Sequence, residues 1–66
     1  TGEEFDKKFL ELMIPHHQAA IDMSRPAATN SQRQEIKDLA QAIINAQTQE
    51  ITQMQKWQKE WGYISA

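Results

Sequence analysis

The chain contains no cysteine, which excludes disulfide bonds and thiolate metal sites. Two glycines and two prolines leave few positions for turns, so a chain that is 39% apolar favours an all-helical fold. No apolar run approaches the roughly 20 residues that a transmembrane helix needs. Seven basic residues against nine acidic ones give a net charge of −2, which argues against binding nucleic acid.

The length of 66 residues predicts one domain covering 1–66. A chain this short rarely obtains more than about 3–5 kcal/mol of stability from its own core. We therefore expect it to need a metal ion or a partner chain for support.

Two stretches of helical periodicity are separated by one break. The pattern predicts a first helix over about 2–25 and a second over about 32–61. Between them, a loop over 26–31 is expected because Pro26 interrupts helical hydrogen bonding. Gly62 is a suitable residue to end the second helix in the left-handed conformation.

Both helix starts match the capping-box pattern, in Thr1-x-x-Glu4 and again in Ser31-x-x-Gln34. Pro15 lies inside the first helix and removes one backbone hydrogen bond there. A bend at Pro15 is therefore predicted. The bend has two interpretations, either a tolerated distortion or a device that redirects the neighbouring histidines.

Two helices joined by a short loop form an antiparallel hairpin, and each exposes a wider apolar stripe than one neighbour covers. We predict that two hairpins pair into a dimeric four-helix bundle. With the turn near residue 28, residue k of the first helix lies level with about residue 56 − k of the second. Glu50 and Met54 would then lie about 15 Å from His16, so we expect them to reach it from the partner chain.

The segment from Met13 to Met23 holds both histidines and two of the three methionines. Thioether and imidazole are the soft-metal ligands left to a chain without cysteine. Spacing alone leaves metal binding and ordinary core packing as equal alternatives, since methionine is a common core residue. The candidate ligands are Met13, His16, His17, Met23 and Met54.

Polar residues interrupt the apolar stripe of the second helix at Gln47 and Glu50. A hydrogen bond between Glu50 and a ligand imidazole and a role in bundle register are two interpretations, and direct ligation of the metal is a third. Trp57 and Trp61 are predicted to pack at the end of the bundle, and a weaker alternative is that Trp57 flanks a bound cation.

Catalysis has little support in this sequence, and the chain is predicted not to be an enzyme. The Glu-x-x-His pairs of di-iron bundles and the His-Glu-x-x-His motif are both absent from the sequence. Two alternatives to a metal-binding protein remain, a helical interaction module without metal and a bundle enzyme that uses a redox metal.

The motifs Met13-Ile14-Pro15-His16-His17-x2-Ala20-Ile21-x-Met23 and Gln47-x2-Glu50-Ile51-x2-Met54-x2-Trp57 resemble the bacterial "domain of unknown function 305" family. The resemblance implies a ferritin-like helical bundle and export to the periplasm or another site outside the cytoplasm. It also implies binding of copper, as Cu(I) and with Ag(I) or Cu(II) as alternatives, for sequestration or handover. The ligands that it implies are the same histidines and methionines: Met13, His16, His17, Met23 and Met54.

Overall fold

Two long helices account for most of the chain. The computed structural model describes residues 2–63, which form α1 (Gly2–Asn30) and α2 (Gln34–Glu60). The helices pack against each other as a hairpin about 47 Å long, and no strand occurs in this range. The all-helical hairpin predicted from the sequence is therefore confirmed. Neither helix in residues 2–63 has the length and apolar character needed to cross a bilayer.

The first helix is longer than predicted, because it continues through both Pro15 and Pro26 and ends at Asn30. The predicted loop over 26–31 is therefore wrong. A proline inside a helix removes only one backbone hydrogen bond. After Pro26, the Thr29 hydroxyl donates to the Arg25 carbonyl at 3.2 Å, and the Ser31 amide donates to the Ala27 carbonyl at 3.3 Å. The bend expected at Pro15 stays a prediction.

The second helix does not begin with the predicted capping box. Its N-cap is Arg33, and no side chain caps it. Ser31 lies two residues earlier, where its hydroxyl accepts a hydrogen bond from the Arg33 amide at 3.2 Å. The Gln34 side chain donates forward to Asp38 at 2.8 Å and does not reach back to Ser31. Thr1, the cap predicted for the first helix, lies outside the described residues.

The second helix ends at Glu60, and Gly62 stops it in the left-handed conformation as predicted, with φ at 74°. The Gly62 amide donates to the Lys59 carbonyl and the Tyr63 amide to the Gln58 carbonyl, which together form a Schellman motif. Tyr63 then packs against the core of the hairpin. Desolvation, followed by the negative charges of Asp6 and Glu3, raises the pKa of Tyr63, in keeping with a position beside the start of α1.

The core between the helices is small. Its buried apolar side chains are Leu10, Ile21, Ala40, Ile51 and Met54. Burying one such large side chain contributes about 1.5–3 kcal/mol, against a loss of conformational entropy of similar total size. The hairpin alone is therefore expected to be only marginally stable.

Several large apolar side chains lie outside the core. Met23 is 79% exposed and Phe5 is 70% exposed. We call the set the apolar face: Phe5, Phe9, Leu12, Met23, Ile36, Leu39 and Trp61. At helical spacing, the apolar residues of α1 form two neighbouring seams. The seam through Leu10 and Ile21 faces α2, and we call the adjacent one, through His16 and Met23, the outward seam because these two residues are exposed.

Candidate metal centre

A cavity of about 240 Å³ opens between the two helices, in the half of the hairpin away from the loop. We call it the His17 cavity. Three of its wall residues come from α1 and four from α2: Phe9, Met13, His17, Glu50, Gln53, Met54 and Trp57. A wider depression of about 740 Å³ beside the loop is lined by no imidazole or thioether, so the His17 cavity is the candidate site.

Helical periodicity explains why these side chains meet. Phe9, Met13 and His17 follow one another at intervals of four residues, which places them on one side of α1. On α2, Glu50 and Trp57 are seven residues apart, two helical turns, and so point in the same direction. Each helix therefore presents its own half of the cavity wall.

Both ring nitrogens of His17 are hydrogen-bonded. Nδ1 lies 3.0 Å from the Met13 carbonyl oxygen, and because a carbonyl only accepts, Nδ1 carries a proton. Nε2 lies 2.7 Å from a carboxylate oxygen of Glu50. When Glu50 is ionised, Nε2 must also donate, so the imidazolium form satisfies both contacts.

The two partners in this contact differ in freedom to move. The His17 side chain is 12% exposed, whereas that of Glu50 is 53% exposed. The Met13 carbonyl fixes the tautomer and the orientation of the ring, as acceptors do for metal-bound histidines. Rotation of the Glu50 side chain into solvent would free Nε2 to act as a ligand.

The structure brings together three of the five predicted ligands, which are Met13, His17 and Met54. His16 is exposed on α1, with its ring centroid 6.3 Å from that of His17, and it does not line the cavity. Met23 lies on the apolar face, also away from the cavity.

The two polar residues predicted to interrupt the apolar stripe of α2 have different positions. Glu50 forms a hydrogen bond with the imidazole of His17, which is one of the roles predicted for it. Gln47 is half-buried and does not line the cavity.

The predicted register was wrong. His17 pairs with Glu50 of its own chain, so the numbers of level residues sum to about 67 instead of about 56. The cause is the continuation of α1 through Pro26, which moves the turn to residues 31–33. Consequently Glu50 and Met54 reach the site within one hairpin, and the partner chain is not needed to supply them.

Phe9 and Trp57 form aromatic walls of the cavity, and Phe9 is not among the residues predicted for the site. Phe9 lies one turn before Met13, and this spacing was the available signal for its role. Trp57 stacks on Trp61 with ring centroids 5.6 Å apart and planes within 3°. Their packing at the end of a bundle stays a prediction. Trp57 additionally forms part of the cavity wall.

The donor set suits some metals and not others. Within residues 2–63, no group of three or more imidazole and carboxylate side chains converges on one point. The cavity instead combines one imidazole with two thioethers, and one carboxylate lies beside them. Thioethers select soft ions such as Cu(I) and are poor ligands for magnesium or calcium.

Comparison with known proteins gives few similar chains. No solved structure matches this chain significantly. One similar protein is "Uncharacterized protein L153" of Acanthamoeba polyphaga mimivirus, which is 45% identical over 49 residues. The match covers 74% of this chain and 32% of that protein, so the chain spans about a third of the relative's length.

One family model covers nearly the whole chain. It is described as "Domain of unknown function (DUF305)" and matches residues 1–58, a range that includes both helices except the last residues of α2. The range contains every residue of the His17 cavity. The chain therefore belongs to the DUF305 family.

Proposed function

We propose that the protein binds copper as Cu(I), with Ag(I) as an alternative ion, in the His17 cavity. One observation carries the proposal: an imidazole and two thioethers, donated by different helices, line the same small cavity. The proposed role is sequestration or handover of the ion outside the cytoplasm, without turnover of a substrate.

Each donor has a defined part in the proposed site. Nε2 of His17 and the thioethers of Met13 and Met54 hold the ion. The Met13 carbonyl keeps a proton on Nδ1 and so leaves Nε2 as the coordinating atom. Phe9 and Trp57 reduce access of water to the ion. Glu50 competes for Nε2 in the free protein and adds an oxygen donor that would suit Cu(II) instead.

A native mass spectrometry titration under anaerobic conditions tests the proposal. Dilute wild-type protein, at a concentration that keeps it monomeric, is titrated with Cu(I) and separately with Cu(II). We expect one Cu(I) per chain in the wild type and none in His17→Gln. His16→Gln is the matched control, since His16 lies outside the cavity, and it should retain the ion.

The result can contradict the proposal in two ways. Equal binding by His17→Gln and wild type would remove the cavity as the site. Binding of Cu(II) in preference to Cu(I) would show that the thioethers are not ligands, because thioethers favour the monovalent ion.

The apolar face supports a second part of the proposal, which is pairing with another copy of this chain into a four-helix bundle. Among residues 2–63, seven large apolar side chains are exposed, and the helical spacing places them on the side of the hairpin that carries the cavity. The residues of α1 that lie on this side of the hairpin, from Phe5 to Ala27, include no charged residue. A side of 47 by 17 Å has about 800 Å² of area, which matches one partner's share of a standard interface.

The distribution of side-chain sizes favours an antiparallel pair. Phe5 and Phe9 lie near one end of the face and Leu39 lies near the other, with Ala19 and Ala20 between them along α1. A two-fold axis across the helices places the large side chains of each end against the opposite end of the second copy. A parallel pair would instead crowd the aromatic side chains of both copies at one end and leave the other end more loosely packed.

Sedimentation velocity over a range of protein concentrations tests the dimer. We expect the wild type to dimerise and Leu39→Glu to remain monomeric, because the new carboxylate would be buried in the interface. Gln55→Glu is the matched control on the opposite side of α2, and it should dimerise normally. A wild type that stays monomeric, or a Leu39→Glu variant that dimerises as well as Gln55→Glu, would contradict the pairing. If dimerisation persists without any metal binding, the interaction-module alternative is favoured.

A further inference from the structure

Two of the soft donors remain unused by the His17 cavity. His16 and Met23 are both exposed and lie on the outward seam of α1, among the residues of the apolar face. In residues 2–63, the His16 ring contacts the His17 ring and forms no hydrogen bond of its own. An exposed thioether and an exposed imidazole in an otherwise uncharged stripe therefore need an explanation.

One hairpin alone does not combine these two donors. They are seven residues apart on one helix, which is about 10.5 Å along its axis. A metal–nitrogen or metal–sulfur bond measures only about 2.0–2.3 Å, so two donors at that separation are badly placed for one ion. A second copy of the chain can supply one of the two donors from the opposite side of the interface.

The midpoint between His16 and Met23 falls between Ala19 and Ala20. In the antiparallel pair described above, this stretch of alanines is where two copies of α1 approach most closely, because small side chains permit a short interaxial distance of about 8 Å. A two-fold axis at that point brings residue 16 of one copy opposite residue 23 of the other. The small residues that permit close approach and the midpoint between the two donors therefore lie at the same place on α1.

We propose that dimerisation creates a second soft-metal site from His16 of one copy and Met23 of the other, and that symmetry forms this site twice. The inference rests on the proposed copper binding and on the proposed dimer. An imidazole and a thioether on opposite sides provide a two-coordinate environment for a soft monovalent ion such as Cu(I) or Ag(I). Because the ion bridges two chains, its binding strengthens the dimer.

Linkage gives the size of this effect. An ion that binds only the dimer, at a free concentration ten times its Kd, tightens association by about tenfold per site. Two symmetric sites would therefore tighten the dimer by about a hundredfold. The ion in the His17 cavity has no such effect, because all of its ligands come from one chain.

Ag(I) is a suitable probe because it does not change oxidation state under these conditions. Native mass spectrometry and sedimentation velocity follow stoichiometry and association together. We expect four Ag(I) per wild-type dimer, and two in either His16→Gln or Met23→Leu. In these two variants Ag(I) no longer tightens the dimer. His17→Gln also holds two ions, but its dimer still tightens with Ag(I).

A mixture of the His16→Gln and Met23→Leu chains gives the decisive result. A mixed dimer contains one intact pair, with His16 from one chain and Met23 from the other. We therefore expect three Ag(I) in the mixed dimer and partial recovery of the tightening. A site inside one chain would show no recovery on mixing.

Failure of this inference is distinguishable from failure of the proposals on which it rests. A wild type that binds one Ag(I) per chain and stays monomeric overturns the cross-chain site and leaves the cavity site standing. A dimer with only two ions, both lost in His17→Gln, also overturns it. A dimer that binds no Ag(I) overturns both metal sites.

Discussion

Replacing Met54 by leucine separates metal binding from folding. Met54 is 6% exposed and is the only methionine on α2, so it is the only thioether that α2 brings to the cavity. Met13 and His17 lie four residues apart on α1, where even an isolated helix keeps them close. An ion held by all three residues joins the two helices, whereas an ion on α1 alone does not stabilise their packing.

The expected effect on thermal stability is large. At a free Cu(I) concentration of 100 times Kd, binding to the folded state alone contributes about 2.7 kcal/mol. For a domain of this size, each kcal/mol raises Tm by about 4–8 °C. Wild-type Tm should therefore rise by about 10–20 °C with metal. In Met54→Leu this rise should largely disappear, while the metal-free protein loses less than about 1.5 kcal/mol because the volume changes little.

The rise in Tm is measured by thermal unfolding, monitored by far-ultraviolet circular dichroism. The measurement uses anaerobic conditions and protein dilute enough to be monomeric. Met23→Leu is the matched control, because it makes the same chemical change at a residue that is 79% exposed and outside the cavity. It should keep the full rise in Tm. If Met54→Leu kept the rise as well, the ion would not join the helices through Met54 and the reasoning would be refuted.

Three further changes test the fold. In protein dilute enough to be monomeric, Leu10→Ala should lose about 2–5 kcal/mol of unfolding free energy in urea denaturation, because Leu10 is only 4% exposed. Leu12→Ala, at 63% exposed, should lose much less, and equal losses would contradict the assigned core. Gly62→Ala should destabilise by about 1 kcal/mol because of the positive φ, whereas Gly2→Ala should not, and Tm measurements distinguish the two. Pro26→Ala should raise Tm by restoring a helical hydrogen bond, since the position lies inside α1, and a lower Tm would show that the proline is needed there.

The two-helix architecture could be predicted because periodicity and a terminal glycine are local signals. Leu10 and Ile21 have the helical spacing of a buried face and are buried, and Gly62 stops α2 in the left-handed conformation as predicted. The end of α1 could not be predicted in the same way, because the rule that proline ends a helix is statistical. Pro26 removes a single backbone hydrogen bond, α1 continues through it to Asn30, and the Thr29 hydroxyl adds a bond to the Arg25 carbonyl in the same turn.

The position at which α1 ends determines which residues of α2 lie beside the site. Moving the turn by a few residues changed which part of α2 lies beside His17 and so changed the expected source of Glu50 from the partner to the same chain. Ligand types are easier to predict than contacts between helices: the sequence alone indicates Met13, His17 and Met54 as candidate ligands. Which of the adjacent histidines faces α2 depends on helix rotation, and the sequence leaves that choice open because both seams are apolar.

The short loop at residues 31–33 and the packing of Tyr63 near the start of α1 place both ends of the described chain at one end of the hairpin. A unit whose ends lie side by side can be inserted into a surface loop of another protein without separating the two halves of the host. It can also be repeated in tandem, with each copy joined to the next through a short linker. The hairpin thus has the geometry of a portable module, and its cavity, formed entirely by its own two helices, would travel with it.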